Sequence, residues 1–119
     1  MKIREVQELL DAKIWVGEEK KDIEVYTACG SDLMSDVLAF VKDRVLLLTG
    51  LVNPQVIRTA EMMDIKAIMF VRGKEPTEDV LELAKSKKMI ILSTEQPMYI
   101  ACGLLYLNGL RYEGKAHEA

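Results

Sequence analysis

Apolar positions recur along this chain in two rhythms, and their alternation predicts the fold. The clearest instance runs from Val45 to Asp64. Val45-Leu46-Leu47-Leu48 is an unbroken apolar run, the pattern of a strand covered on both faces. Thr49-Gly50 stops it. Asn53-Pro54 then reads as a helix start: the Asn side chain accepts a bond from a free first-turn N–H, and Pro gives up a donor that has no partner there. Val56, Ile57, Ala60 and Met63 fall on one helical face, with Gln55, Arg58, Thr59 and Glu61 largely on the other. Asp64 closes the helix, and Ile65 to Val71 forms the next strand.

The same grammar extends in both directions. Ile3, Val6, Leu9 and Leu10 recur at helical spacing, so residues 3 to 11 predict an amphipathic helix. Lys13 to Val16 is a short strand, Gly17 to Asp22 a charged turn, and Ile23 to Ala28 an alternating second strand. The connection is short enough for an antiparallel hairpin. Cys29 to Asp32 reads as a turn with Ser31 as helix cap, and the helix runs from 32 to about 41 with Leu33, Met34, Val37, Leu38 and Phe40 as its apolar contacts. Lys42-Asp43-Arg44 leads into the central strand. Further on, Pro76 opens a helix carrying Val80, Leu81, Leu83 and Ala84 to about Lys87, and Met89 to Leu92 is the last strand. A strongly apolar helix follows Pro97, with Ile100, Ala101, Leu104, Leu105 and Leu107, and Asn108-Gly109 stops it. Residues 111–119 form a polar tail that frays. The expected architecture is one α/β domain over residues 1–110. Its largely parallel sheet of about five strands is flanked by helices and preceded by an amino-terminal helix and short hairpin.

Composition narrows the function more than the fold. With 119 residues, half of them hydrophobic, the chain makes one domain with a real core. The net charge is -3 and the basic residues are dispersed among acids. Nucleic acid is therefore not expected as a partner, since neutralising phosphates needs a clustered cationic excess. No apolar run reaches the roughly 18 residues that span a bilayer, and no leader-like segment opens the chain, so a cytoplasmic protein with no membrane partner is expected. Cys29 and Cys102 belong to no paired motif, and the single histidine, His117, lies in the tail. This predicts free thiols, no metal site, no cofactor and no histidine-based triad.

Chemistry is left to the strand exits. In an open α/β sheet, ligands bind beyond the carboxyl ends of the strands, where loop amides and helix N-termini receive anions. The candidates are Gly30 and Ser31; Thr49, Gly50 and Asn53; Arg72, Gly73 and Lys74; and Ser93 and Thr94, with Arg58 on the following helix. Arg72 and Lys74 supply positive charge for a phosphate or carboxylate. Every strand–helix turn also needs Gly and Ser/Thr for its own geometry, and that plainer reading accounts for the same residues. Arg58 with Glu61 fits a pocket lining or a local ion pair. Asp32 with Asp36 fits a divalent cation or a cap plus surface charge. Cys102-Gly103 reads as close packing of the last helix on the sheet, with an inert thiol. Met34, Met62, Met63, Met69, Met89 and Met98 read as core or interface filler.

Several of these stretches together resemble the DRTGG domain family. They are Ser31-Asp32-Leu33-Met34-Ser35-Asp36-Val37-Leu38, Thr49-Gly50 with Asn53-Pro54-Gln55-Val56, Arg58-Thr59-Ala60-Glu61-Met62, Phe70-Val71-Arg72-Gly73-Lys74, and Leu92-Ser93-Thr94 followed by Tyr99 and Cys102-Gly103. The resemblance is to small stand-alone bacterial members and spans about Ile3 to Leu110. The Asp-Arg-Thr-Gly-Gly string itself is absent, and Thr49-Gly50 stands near its place. The resemblance implies an α/β domain found fused to CBS pairs, pyrophosphatase or phosphate acetyltransferase modules, and similar to the N-terminal domain of HPr kinase/phosphorylase, which lacks the kinase site. It implies a regulatory role and dimer contacts, and it carries no catalytic residues over. No Walker A motif is present to suggest a kinase.

The favoured expectation is a non-enzymatic, homodimeric regulatory module that senses a nucleotide or other phosphorylated metabolite at the strand exits. The alternative is a protein-interaction module without a small ligand, using the apolar stretch from Met98 to Leu110 and an exposed Leu51-Val52. A third reading is a small enzyme built on Asp32, Asp36 and Cys29.

Overall fold

A computed structural model of the chain describes residues 1–39 and 43–111. In chain order the elements are helix α1 (Ile3–Leu10), strand β1 (Lys13–Val16), a 3₁₀ turn (Glu18–Lys20), β2 (Thr27–Gly30), α2 (Met34–Leu38), β3 (Val45–Thr49), α3 (Pro54–Met62), β4 (Ala67–Phe70), α4 (Glu78–Ser86), β5 (Ile90–Ser93) and α5 (Met98–Leu107). The five strands form one sheet in the order β1-β5-β4-β3-β2. Strands β2 to β5 are parallel, and β1 closes the β5 edge in the antiparallel sense.

The unbroken apolar runs are buried on both faces, as their lack of alternation requires. Leu46 and Leu48 pack with Met69, Leu92, Ala101 and Leu105 under α1 and α5. Val45 and Leu47 point the other way, to Val56, Ile57, Ile68, Phe70, Val80 and Ile91 under α2, α3 and α4. The layers follow from right-handed crossovers taken in one direction, which put α2, α3 and α4 on the same face. This monotonic strand order has no topological switch point, the place where such sheets open a crevice at their carboxyl ends.

The expected hairpin is not formed. Strand β1 pairs with β5, with Lys13 opposite Ser93, while β2 lies on the far edge against β3. Gly17, at φ 92°, packs against Ile90 so closely that a Cβ would sit 2.9 Å from Ile90 Cγ1. This turns the chain away from β1 instead of back along it. Residues 23–25 pair with the amino-terminal segment instead: Ile3 N–H donates to the Ile23 carbonyl (3.0 Å) and Val25 N–H to the Met1 carbonyl (2.8 Å). The second strand therefore begins at Thr27, and Cys29-Gly30 belongs to it and not to a turn.

Smaller differences have local causes. Helix α2 starts at Met34 because Ser31 and Asp32 spend their side chains on the loop. Phe40 and Val41, within the expected helix, and Lys42, in the turn after it, lie outside the described residues, as does the tail from 112 to 119. Pro76 is buried before the helix, which opens two residues later behind Thr77. Asn53 caps α3 as expected, its Oδ1 accepting from Val56 N–H at 3.1 Å. The stop after α5 is also as expected: Gly109 has φ 110°, and Leu110 N–H reaches back to the Leu105 carbonyl at 2.9 Å. Close packing between α5 and the sheet occurs at Gly30 and not at Gly103. A Cβ on Gly30 would lie 2.8 Å from Cys102 Sγ, whereas Gly103 faces open space. Leu51 and Val52 are half-buried against the α3 side of the core and offer no exposed patch.

Candidate functional site

The carboxyl ends of β2, β3, β4 and β5 are tied together by a chain of polar contacts. Asp32, just past β2, is its centre. Its Oδ1 accepts from Gly50 N–H at 2.6 Å and from the Thr49 hydroxyl at 3.2 Å. Its Oδ2 lies 3.7 Å from Arg72 Nη2. The Arg72 guanidinium covers the buried Gly50: a Cβ there would clash with Nη2 and stand 3.1 Å from Cζ. Only glycine at 50 lets the arginine lie over the loop. The Thr49 hydroxyl also accepts from Leu51 N–H at 3.1 Å. A carboxylate is thus already seated among a loop amide, a hydroxyl and a guanidinium.

Arg72 and Gly73 both adopt the left-handed conformation, φ 61° and 71°. Arg72 N–H donates to the Gln96 carbonyl (2.8 Å) and Gly73 N–H to the Thr94 carbonyl (2.9 Å). The β4 exit is therefore pinned to the β5 exit, and Arg72 projects from a fixed base. A Cβ on Gly73 would fall 2.9 Å from Glu95 Oε1, which brings a second carboxylate beside the loop.

Only part of the expected set converges. Thr49, Gly50 and Arg72 meet around Asp32, a residue that the sequence reading gave to a cap or a cation. Gly73 lies beside them. Ser31 stands next to the cluster, but its hydroxyl is held by Leu33 N–H at 3.0 Å in a local turn. Gly30 packs under α5. Asn53 is the α3 cap. Ser93 Oγ accepts from the Trp15 indole N–H at 2.8 Å and belongs to the β1 edge. Lys74 is exposed and has no carboxylate within 4 Å among the described residues. Arg58 is exposed on α3 and does not pair with Glu61, which instead holds Lys87 at 3.2 Å. Asp32 was legible as an acid one loop away from a Thr-Gly exit. What the sequence does not carry is that β2 and β3 are neighbours.

Thr94 is structural. Its buried hydroxyl donates to the Leu10 carbonyl at 2.7 Å and accepts from Gln96 N–H at 3.2 Å, joining the end of α1 to the β5 exit. Thr94→Val strips the partner from a buried carbonyl and is expected to cost about 1–3 kcal/mol. That lowers the melting temperature by about 4–12 °C in a domain of this size. Calorimetry of the variant checks it, and an unchanged midpoint would show that the bond contributes nothing net.

The two thiols are free and half-buried on either side of β2. Burial pushes both Cys29 and Cys102 above the ordinary thiol value of 9.0, and Cys29 is raised further by Cys102 and Asp36 nearby. A raised pKa makes Cys29 a poor nucleophile at neutral pH and argues against a nucleophilic role for it. The unfolded chain loses these protons first, so the stability that neutral thiols contribute is complete below pH 9.0 and declines as pH climbs above it. Two results are expected: alkylation by iodoacetamide at pH 7 slower than that of a free model thiol, and a melting temperature that falls above pH 9 less steeply in the Cys29→Ala/Cys102→Ala variant. Among the described residues no three His, Cys, Asp or Glu side chains converge on a metal position, and no helix is long and apolar enough to cross a membrane.

An α/β domain with a polar strand edge and a carboxylate seated in it is the class defined by the fold and site. The DRTGG domain family model matches residues 5–105, and the chain belongs to that family. Comparison with curated protein sequences gives no match. Among solved structures the chain is similar to the CBS and DRTGG domains of the regulatory region of Clostridium perfringens pyrophosphatase, complexed with the activator diadenosine tetraphosphate. The TM-score is 0.72 at 13% sequence identity, over 95% of this chain and 51% of that one. The chain thus spans about half of that structure. In that enzyme the DRTGG domain is part of a regulatory region.

Proposed function

We propose that the protein is a non-enzymatic regulatory module that senses a nucleotide or another phosphorylated metabolite at its strand exits, with Arg72, Gly50 N–H and the Thr49 hydroxyl as the anion contacts. The observation that carries this reading is the seated Asp32 carboxylate, held at 2.6 Å by a loop amide and facing an arginine. Such donors accept a phosphate oxygen as readily as a carboxylate. The Asp32–Arg72 pair is half-exposed, at 54% and 50%, and a surface pair of this kind is worth about 0–1 kcal/mol. A ligand with two or more charges displaces it at little cost. The regulatory role of the DRTGG domain in the pyrophosphatase, and the nucleotide bound to that regulatory region, support the same reading.

The test is thermal unfolding of the full chain against nucleotides and phosphorylated metabolites, with and without Mg²⁺. A ligand at about 100 times its dissociation constant adds about 2.7 kcal/mol and raises the midpoint by several degrees. A concentration-dependent rise is expected for at least one compound. A flat panel overturns the sensing role.

A second reading, assembly of two copies, rests on α5. That helix is apolar on all sides, and a helix of that kind is usually covered all round. Its outer face leaves Tyr99 86% and Leu107 74% exposed, with Gly103 between them open to a close approach. A second α5 related by a two-fold axis would cover this self-complementary stripe. Light scattering coupled to gel filtration decides it, with a dimer expected at micromolar concentration and a monomer excluding it.

A further inference from the structure

At the other end of the sheet, about 13 Å from the strand exits along β3, lies a cavity of about 590 Å³. It opens where β3, β4 and β5 begin. We propose that this cavity is a second anion site, independent of the strand exits, that takes a phosphorylated ligand carrying a flat apolar group, of the nucleotide class.

Three observations carry this. The first is charge. The chain as a whole is acidic, at -3, yet the cavity gathers five basic side chains, Lys20, Arg44, Lys66, Lys87 and Lys88, against three acidic ones. Asp64 already holds Lys66 at 2.9 Å, and Lys87 is held by Glu61. Lys20, Arg44 and Lys88 have no carboxylate within 4 Å among the described residues, although the Lys20 ammonium donates to the Lys88 carbonyl at 2.6 Å. The second is backbone. Three residues of the lining, Arg44, Asp64 and Lys88, stand in the left-handed conformation, φ 54°, 57° and 59°, where glycine costs less. Two of the three carry a cation to the cavity, and the third, Asp64, holds Lys66. Complementing the α4 dipole explains Lys87 but does not call for Arg44, which precedes β3. The third is shape. Val25, Val45, Ala67 and Ile90 make an apolar floor beneath the charged rim, and the Arg44 Cζ stands over the Tyr26 ring, 5.4 Å from its centroid. A volume of about 590 Å³ is in the range of small-ligand pockets. Apolar floor, planar cation and separate ammonium groups match a base and its phosphates.

The experiment is an amide-resolved NMR titration of the full chain with ATP, tripolyphosphate and adenosine. ATP is expected to shift Val45, Ala67 and Lys88 to Ile90, and to bind more tightly than tripolyphosphate or adenosine alone. The double variant Arg44→Gly/Lys88→Gly places glycine where φ is positive, so its midpoint is expected to hold or rise while ATP affinity falls about tenfold or more. Shifts confined to Thr49–Asn53 and Arg72–Gly73 would assign ATP to the strand exits and overturn this site while sustaining the function proposed above. No shifts at either end with any probe would overturn this site, and unchanged affinity in a folded double variant would do the same. Tripolyphosphate binding as tightly as ATP would remove the apolar floor from the proposal.

Discussion

Phe70→Ala is expected to lower the unfolding free energy by about 3–5 kcal/mol, the usual cost of truncating a fully buried phenylalanine. Phe70 is 0% exposed and ends β4, packed among Val56, Ile57, Ile68 and Ile91 beneath α3 and α4. The position has no route to relax. Its carbonyl is fixed by Thr94 N–H at 2.9 Å, and its Cα partners are set by the ladder to Thr49 and Ser93. The sheet is covered on both faces, so water does not fill the space left behind. A domain of 119 residues has a total stability of about 6–18 kcal/mol, so this one change removes a large part of it and lowers the midpoint by about 12–20 °C. Urea unfolding measures the loss, with Met62→Ala on the exposed face of α3 as the control that stays within about 0.5 kcal/mol. A loss below about 1.5 kcal/mol would mean that the α3 layer closes over the cavity, and that the rigid base assigned to the Arg72 loop is softer than its hydrogen bonds suggest.

That β4 exit also shows what was legible in the sequence. The central strands were readable because burial on both faces writes itself as unbroken apolar runs: Val45 to Thr49 and Ala67 to Phe70 are buried throughout. The α3 start was readable because a cap is a local device, complete within Asn53 to Val56. Family membership was read from stretches spread between Ser31 and Gly103, and the family model matches residues 5–105. The edges were not readable. Strand β1 and the segment 23–25 carry the same apolar alternation whether they pair with each other or with partners some 80 and 20 residues away in the chain. What decides between the two is the packing of Gly17 against Ile90, a contact across the fold.

The candidate site divides along the same line. Glycines and hydroxyls at strand exits were visible as types, but their partners were not. Thr94 and Ser93 proved to be tied to Leu10 and Trp15, far away in the sequence. Asp32 looked like a helix cap because Ser-Asp before an apolar run is a cap pattern. It acts instead on the neighbouring exit, because β2 lies beside β3 and brings its loop to Gly50. A monotonic strand order also has a consequence that periodicity alone does not reveal. Without a switch point to open a crevice, a ligand at the exits is expected to be held by charge and loop amides more than by enclosure.

Arg72→Ala is accordingly expected to weaken binding of a phosphorylated ligand at the strand exits by about 10- to 100-fold, the 1.5–3 kcal/mol typical of a hydrogen bond to a charged group. Arg72 has φ 61°, and alanine carries the same backbone cost there, so the loss reports the guanidinium and not the loop. Arg72→Gly, which eases that backbone, should lose the same affinity with an equal or higher midpoint. Asp32→Asn should act in the opposite direction. The amide oxygen still accepts from Gly50 N–H, but the charge that competes for Arg72 and repels the ligand is gone. Affinity is expected to rise about threefold to tenfold, the range set by a surface pair of up to about 1 kcal/mol and the relieved repulsion. Both effects should shrink as salt is raised, because the groups are half-exposed and screened. Isothermal titration of the three variants against the strongest compound of the thermal panel, at two salt concentrations, separates the possibilities. Opposite signs for Arg72→Ala and Asp32→Asn place the ligand where the Asp32 carboxylate now sits. A loss in Arg72→Ala with no gain in Asp32→Asn means that the ligand reaches the arginine without displacing the carboxylate, and equal affinity in all three removes the strand exits as its site.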